Sequence, residues 1–277
     1  MGFGQYLADM LLLLFRLLLF TAVLATPGVH AHPGMQDQLS RINRTIAERP
    51  SEQALYIQRG IIYTNGGHYP EALADYRQAE KLGAPVVVAY ELGVLFYRME
   101  NYDEATHYLS QYLRQFPASA AAYEARSRVY RDTGDHQRAM SDLNKYFELQ
   151  GAPHPGNYLA AADMLEEMGQ TDAALAILDQ GMEKLGLTPQ LQRRAITLEL
   201  QRQQSDRAIA RLETLREPLQ ESPSWKIEMA QLLLLQQRRL EADEFLRKAH
   251  DELTVLRPTP ARIELLQRVE TLQQPTQ

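Results

Sequence analysis

The residues that could carry chemistry are scattered along this chain rather than gathered into a motif. The seven histidines stand at positions 30, 32, 68, 107, 136, 154 and 250, and cysteine is absent. The HExxH pattern, which places two metal ligands and a base on one helix face, does not occur. Acidic clusters such as Glu166-Glu167 are typical of solvated helix faces, and Gly66-Gly67 is typical of a turn. The sequence therefore predicts a protein without catalytic residues, metal ligands or a cofactor.

The charge balance argues against nucleic acid as the main partner. The chain has 29 Lys and Arg residues against 35 Asp and Glu residues, a formal net charge of −6, and no block of basic residues. Proteins that bind nucleic acid usually cluster Lys and Arg on one face. Hydrophobic residues make up 45% of the chain and charged residues 23%, which are ordinary values for a soluble folded protein.

One long apolar run lies near the start of the chain, from Met10 to Ala25. Its 16 residues are fewer than the ~20 that span a bilayer as a helix. Val29 and Ala31 follow with the small-residue pattern of a signal-peptide cleavage site. The pattern predicts a signal peptide over residues 1–31 and export, with the bacterial periplasm as the compartment. Arg16 interrupts the run and no basic residue precedes it, so an uncleaved inner-membrane anchor stays an alternative.

Cleavage after Ala31 would leave His32 as the first residue of the exported chain. An N-terminal histidine can chelate copper through its amine and its ring, but a further ligand is needed and the sequence does not supply one. A metal-binding or enzymatic protein is therefore a remote alternative.

The chain is organised by a repeated pairing of a small and a large residue. Six alanines recur at steps of 33, 34, 35, 34 and 34 residues, and a large apolar residue follows each one four positions later. The alanines are Ala72, Ala105, Ala139, Ala174, Ala208 and Ala242, and the large residues are Tyr76, Leu109, Leu143, Leu178, Leu212 and Leu246. A fixed period of this length is the signature of stacked repeats. The alanine would let two helix backbones approach closely, and the larger residue would fill the space beside it.

Prolines and turn residues divide each repeat into two helices. A proline opens a helix without loss but cannot sit in its interior, and prolines such as Pro85 and Pro189 recur at the period. A second break falls midway, as at Gly66-Gly67, so the chain is predicted to be all-α with two helices of ~13 residues in each unit. The predicted divisions are a signal peptide over 1–31, an N-terminal capping helix over 32–51, six repeats over 52–85, 86–119, 120–154, 155–188, 189–222 and 223–257, and a C-terminal capping helix with a tail over 258–277.

The first unit resembles a known repeat. Its signature residues are Tyr56, Gly60, Tyr63, Ala72, Tyr76 and Ala79. This order of aromatic, small residue and tyrosine, then alanine, aromatic and alanine, is similar to the tetratricopeptide repeat. Units two to four match it in part, and the last two keep the period but lose most aromatics. The resemblance implies a right-handed superhelical solenoid of about six repeats, whose first helices line a concave groove that binds a protein or peptide.

The family geometry, combined with helical spacing, predicts which residues face this groove. They are Ile57, Ile61, Tyr90, Val94, Tyr97, Glu124, Arg128, Arg131, Asp163, Arg193 and Thr197. Exposed Tyr and Arg are enriched where partners dock, although a solvated helix face with incidental aromatics is an equally simple interpretation. Because 13 of the 14 tyrosines lie between Tyr56 and Tyr158, the N-terminal half is the predicted site of specific partner recognition. The C-terminal half is predicted to serve in stacking or self-association.

A carboxylate clamp, which some members of the family use to hold a peptide C-terminus, is not expected here. The corresponding positions are Ile57, Ile61, Glu91, Ala121 and Ala125, and none of these side chains can donate a hydrogen bond to a carboxylate. The sequence therefore predicts a non-enzymatic exported scaffold for a protein or peptide partner. The alternative is an assembly factor that the uncleaved first segment holds at the inner membrane.

Overall fold

The computed structural model describes residues 33–83, 85–150 and 153–274. Within these ranges the chain forms fourteen α-helices and no strand, so the predicted all-α class is confirmed. No helix in the described ranges is both long enough and apolar enough to cross a membrane. The predicted signal peptide and His32 lie outside the described residues.

The chain divides into two compact parts, with the division between Met99 and Glu100. This position lies between the two helices of the second predicted repeat. The helices of the first part are α1 (Pro33–Glu48), α2 (Gln53–Asn65), α3 (Tyr69–Lys81) and α4 (Pro85–Arg98). The helices of the second part are α5 (Tyr102–Gln115), α6 (Ala120–Asp132), α7 (His136–Leu149), α8 (Pro155–Glu167), α9 (Thr171–Leu185), α10 (Pro189–Gln201), α11 (Ser205–Glu213), α12 (Pro223–Leu235), α13 (Arg239–Val255) and α14 (Pro260–Gln273).

Local sequence signals explain where the helices begin. Prolines occupy the first turn of α8, α10, α12 and α14. Backbone N–H groups in the first turn have no partner within the helix, so the N–H that proline lacks is not missed there. The start of α7 is capped instead by Asp135, whose carboxylate accepts a hydrogen bond from the backbone N–H of Arg138 at 3.0 Å. Asn101, Ser119 and Thr259 cap α5, α6 and α14 in the same way.

Every turn inside a predicted repeat contains one residue in the left-handed region of backbone space. These residues are Gly67, Glu100, Gly134, Gly169, Gln203 and Gln237, with φ between 59° and 78°. Each precedes the recurring alanine by five positions, so the turn and the packing contact keep a constant separation. Three of the six carry a side chain in a conformation that costs an L-residue ~1–2 kcal/mol.

The recurring alanines and the large residues after them form the core. All six alanines are fully buried, and the six large residues are buried as well. In the first unit the close approach is extreme, because a Cβ added to Gly60 would lie 2.4 Å from the ring of Tyr76. The second part has two core clusters that meet at α10, which contributes Leu198 to one and Ile196 to the other.

Two of the helix pairs are also locked by ion pairs within them. Arg59 on α2 donates through Nε and Nη2 to both carboxylate oxygens of Asp75 on α3, at 2.7 and 2.6 Å. Arg126 on α6 and Asp142 on α7 repeat this arrangement at 2.7 and 2.8 Å. Both aspartates are buried, and the hydrogen bonds to Asp75 raise the pKa of Arg59. These bidentate Arg–Asp hydrogen bonds are among the strongest that side chains form.

The second helix of the fifth repeat is shorter than predicted. The pattern indicated about 13 residues, whereas α11 ends at Glu213 after 9 residues. Leu215 and Arg216 donate to the carbonyls three residues earlier instead of four, and Pro218 prevents the helix from resuming through that position because it has no N–H to donate and its ring would clash with the preceding turn. The chain reaches α12 through irregular turns, and the buried Trp225 closes this region by donating its indole N–H to the carbonyl of Leu212 at 2.9 Å.

The two ends of the described chain differ in character. At the first end, α1 buries Leu39 and Ile46 and keeps polar residues outside, as a capping helix should. At the other end, α14 buries Val269, but Ile263, which is in step with it, remains 48% exposed. Leu240 and Val255 on α13 are 88% and 86% exposed. The C-terminal end therefore keeps apolar surface in contact with solvent.

Candidate protein-binding surface

The predicted groove residues fall at three positions of the first helices in units one to five, although not every position is represented in every unit. They lie three before, one after and four after the first-helix residue that is small in five of the six units (Gly60, Gly93, Ser127, Ala162, Ile196 and Ala230). We call the surface formed at these positions the first-helix face. In the first part, its members on α2 and α4 are all half-buried, and they are Ile57, Ile61, Tyr90, Val94 and Tyr97.

In the second part, the charged members of the first-helix face contact each other and the next first helix. Glu124 on α6 accepts a hydrogen bond from Arg128, one turn later, at 2.6 Å. The same carboxylate oxygen accepts a second bond at 2.9 Å from the side-chain amide of Asn157 on α8. Arg131 pairs with its neighbour Asp132 at 3.0 Å. The structure thus satisfies much of the charge of α6 internally.

The next two first helices are joined in the same manner. Arg194 on α10 donates to Asp163 on α8 at 2.7 Å and also contacts Glu166. Burial opposes the charge of Arg194, but the hydrogen bonds to Glu166 and Asp163 outweigh it and raise the pKa of this guanidinium. Arg193 pairs with Glu228 on α12 at 2.6 Å.

These contacts form a ladder of polar bonds across α6, α8, α10 and α12. In each of its three contacts between helices, one of the two residues is a predicted groove residue: Glu124, Asp163 or Arg193. Each residue is therefore tied to a neighbouring helix in addition to being available at the surface. Arg128, Asp163 and Arg193 remain exposed, so a partner that approached this surface would meet them first.

A cleft that the sequence analysis did not anticipate lies farther along the second part. It has a volume of about 780 Å³ and is formed by α10, α12, the start of α13 and the end of α14. Its lining consists of Leu200, Leu232, Leu234, Leu235, Leu272, Gln231, Gln237, Arg239, Thr271 and Gln274. We call it the leucine cleft. Two clefts in the first part are smaller, at about 460 and 380 Å³.

The leucine cleft continues the register of the first-helix face. Leu200 and Leu234 stand four residues after Ile196 and Ala230, the position that Tyr97 and Arg131 occupy in earlier units. The register of the first helices therefore indicated both leucines, although the predicted groove residues include neither of them. Recognition was predicted in the N-terminal half, whereas this leucine-lined cleft lies in the C-terminal half.

A buried polar cluster supports the helix that carries Leu200. Glu199 is buried at the point where other units have an aromatic residue or leucine, and one carboxylate oxygen lies 3.4 Å from Nε of Arg211. Arg211 also donates to both carboxylate oxygens of Asp179 on α9, at 2.7 and 3.0 Å. These hydrogen bonds to Asp179 raise the pKa of Arg211. The cluster ties α10, which carries Leu200, to α9 and α11.

The histidines do not assemble into a site within the described residues. No group of three His, Asp or Glu side chains there could hold a metal ion. His136 contacts Glu167 at 2.9 Å between Nε2 and Oε2. His68 lies at the edge of the Tyr63 ring.

Comparison with known proteins identifies the repeat. A family model described as Tetratricopeptide repeat matches residues 90–153. No curated protein sequence matches the chain.

Solved structures share the fold at low identity. The structure of pilF from Pseudomonas aeruginosa is 17% identical with a TM-score of 0.55, covering 66% of this chain and 84% of that one. A structure of MamA protein is 15% identical with a TM-score of 0.50, covering 64% of this chain and 100% of that one. A chain of the APC/C hetero-tetramer Cut9-Hcn1 is 15% identical with a TM-score of 0.51, covering 78% and 39%.

These similarities concern architecture, and the tetratricopeptide fold supports a role in protein–protein interaction. Residues 90–153 thus match the tetratricopeptide repeat, and helices of similar length succeed one another from Gln53 to Val255 in a fold that these structures share.

Proposed function

We propose that the chain is a non-enzymatic, extracytoplasmic scaffold that binds a protein or peptide on its first-helix face. The observation that carries this proposal is the constant register of that face. The same three positions recur from one first helix to the next, and in the second part polar contacts join four of these helices side by side. A surface built in this way is already ordered before a partner arrives.

Such preorganisation has an energetic consequence. Association costs free energy for every side chain and loop that must be ordered at the interface, ~0.5–1.5 kcal/mol per flexible side chain. Arg193 and Glu124 are already held by Glu228 and Asn157, so part of this cost is met during folding. The scaffold can therefore bind with a modest contact area.

The proposed face is tested by photo-crosslinking in the native host. A photoreactive side chain is placed at Arg128, which is exposed on the first helix of the third repeat. The matched control places it at Asn144, which is exposed on the second helix of the same repeat. Position 128 is expected to capture one or a few proteins reproducibly, and position 144 to capture none of them. Equal capture at both positions would contradict the assignment of the face.

The proposed compartment is tested by fractionation. The apolar run and the Ala31 cleavage pattern support an exported, soluble chain that begins at His32. Recovery of that species from the periplasmic fraction is the expected result. Recovery of an uncleaved chain from the inner membrane would favour the alternative of a membrane-held assembly factor.

A further inference from the structure

The leucine cleft presents apolar surface that folding has left uncovered. Leu235 is 64% exposed although it lines the cleft, and five of the ten lining residues are leucines. Burying apolar surface is favourable by ~25 cal/mol per Å², so a segment that fills the cleft gains more here than on the charged ladder.

The described lining of the cleft contains a basic side chain but no acidic one. None of its ten described lining residues is acidic. Arg239 is the charged member of this set, and it contacts Asp243 at 2.9 Å and the backbone carbonyl of Gln273 at 2.7 Å. Arg268 on α14 donates to the side-chain carbonyl of Gln231 in the cleft wall at 2.5 Å.

The charge of Arg268 is not neutralised within the described part of the chain. No acidic side chain there lies within ion-pair distance of it. Its described contact is a neutral amide, so its guanidinium keeps donors and a full charge for an incoming acceptor. A carboxylate that reached it would form a charge-assisted bond, roughly twice as strong as a bond between neutral groups.

We propose that the leucine cleft binds an acidic amphipathic segment of the protein partner. Leucine-sized side chains of that segment fill the cleft, and a carboxylate beside them pairs with Arg268 at the rim. Amphipathic helices commonly bind apolar grooves in this way, through side chains spaced three and four residues apart. This inference rests on the proposed scaffold function and adds the chemistry of the partner and the place where it binds.

The test selects binders from a library of random sixteen-residue peptides displayed on phage, with the purified chain as bait. Enriched peptides are expected to combine Leu, Ile, Met or Phe at helical spacing with Asp or Glu. The best peptide is then synthesised and its affinity measured by fluorescence anisotropy. Enrichment of basic peptides, or of peptides without apolar residues, would overturn the proposal.

Two variants locate the binding site. Leu235→Ser is expected to weaken the peptide about tenfold, as loss of a central apolar contact does. Because Leu235 is largely exposed, this change leaves the fold intact, and Leu240→Ser on the neighbouring helix is the matched control with unchanged affinity. Arg268→Gln is expected to weaken the peptide ~5-fold and to reduce the salt dependence of binding. Wild-type affinity in Leu235→Ser would overturn the proposal.

A second copy of the chain is the competing occupant, and sedimentation equilibrium distinguishes it. A native dimer that Leu235→Ser converts to a monomer would overturn the proposal in favour of self-association. Failure of the cleft and failure of the scaffold are separable, because crosslinking at position 128 is measured in the native host with Leu235 and Arg268 unchanged and reports on the first-helix face directly. If position 128 still captures its partner while no acidic peptide binds, the cleft assignment is wrong and the scaffold proposal stands.

Discussion

Gly60→Ala is the most direct test of how the helix pairs pack. The new methyl group would lie 2.4, 2.8 and 2.9 Å from three atoms of the Tyr76 ring, whereas carbon atoms in favourable contact are ~3.5–4.0 Å apart. The ring cannot easily move away, because Tyr76 is fully buried and its hydroxyl shares a 3.1 Å hydrogen bond with Thr64. The substitution therefore forces either the two helices or the ring out of position.

Two opposing effects set the magnitude. Alanine is favoured over glycine inside a helix by ~0.8–1.0 kcal/mol. Overpacking a filled core costs ~1–3 kcal/mol, and the upper part of that range applies at Gly60 because the ring is held at both ends. The expected net loss is ~1–2 kcal/mol of local stability, a factor of about 5–30 in the equilibrium between closed and open states.

Hydrogen exchange measured by mass spectrometry on peptides from α2 and α3 reads this change locally. Exchange there should accelerate by about that 5–30-fold factor. Gly34→Ala is the matched control, since no atom lies within 4 Å of the added carbon, and its exchange should not accelerate. Adding Tyr76→Leu to Gly60→Ala should restore protection, because the fourth repeat already pairs Ala162 with Leu178. Unchanged exchange in Gly60→Ala, or no recovery in the double variant, would refute this packing argument.

Three further outcomes are expected. Glu100→Gly should raise the free energy of unfolding by ~0.5–1 kcal/mol, because glycine adopts the left-handed conformation without strain. Gly134→Ala at the equivalent turn should lower the free energy of unfolding, and urea unfolding measures both variants. A lower free energy of unfolding in Glu100→Gly would contradict the strain. Arg126→Met should cost ~3 kcal/mol by leaving the buried Asp142 carboxylate unpaired, and adding Asp142→Leu should recover most of that loss in the same assay. Burial raises the pKa of Glu91, so the folded chain binds a proton on this carboxylate more tightly than the unfolded chain does. Between the pKa of the unfolded chain and that of the folded chain, the free energy of unfolding therefore falls as pH rises. Glu91→Gln should therefore raise the melting temperature at a pH above both pKa values and change it little at a pH below both. An equal shift at these two pH values would refute the assignment.

The repeat architecture was readable from the sequence because each unit poses the same packing problem. Ala139 and Leu143 are buried as their spacing predicted, since only a small residue allows two helix axes to approach and only a large one then fills the gap. The turns were found for a similar reason, because Gly67 and Gly134 tolerate the left-handed conformation that joins the helices. Six in-phase copies of one pattern specify the architecture far more strongly than a single copy does.

Other features could not be read at the level of one repeat. Arg126 and Asp142 are sixteen residues apart and meet only because two helices pack at a particular angle, which helical periodicity alone does not specify. The end of α11 is followed by i→i−3 turns at Leu215 and Arg216, which the repeat pattern does not specify, and by Pro218, a proline that lies off the period. The leucine cleft forms only when α10, α12, the start of α13 and the end of α14 are placed together.

The ladder and the cleft differ in what a partner gains by binding to them. A charged partner at Glu124 or Arg193 would exchange one exposed ion pair for another, and such pairs contribute only about 0–1 kcal/mol each. At the leucine cleft nothing has to be broken, because Leu235 meets solvent and Arg268 is held by a neutral amide. The ladder is thus better suited to keeping the first helices in register, and to rejecting partners with the wrong charge pattern, than to supplying affinity. Affinity is expected to come from the cleft, so charge reversal at Arg193 should change the association rate while Leu235→Ser changes the dissociation rate.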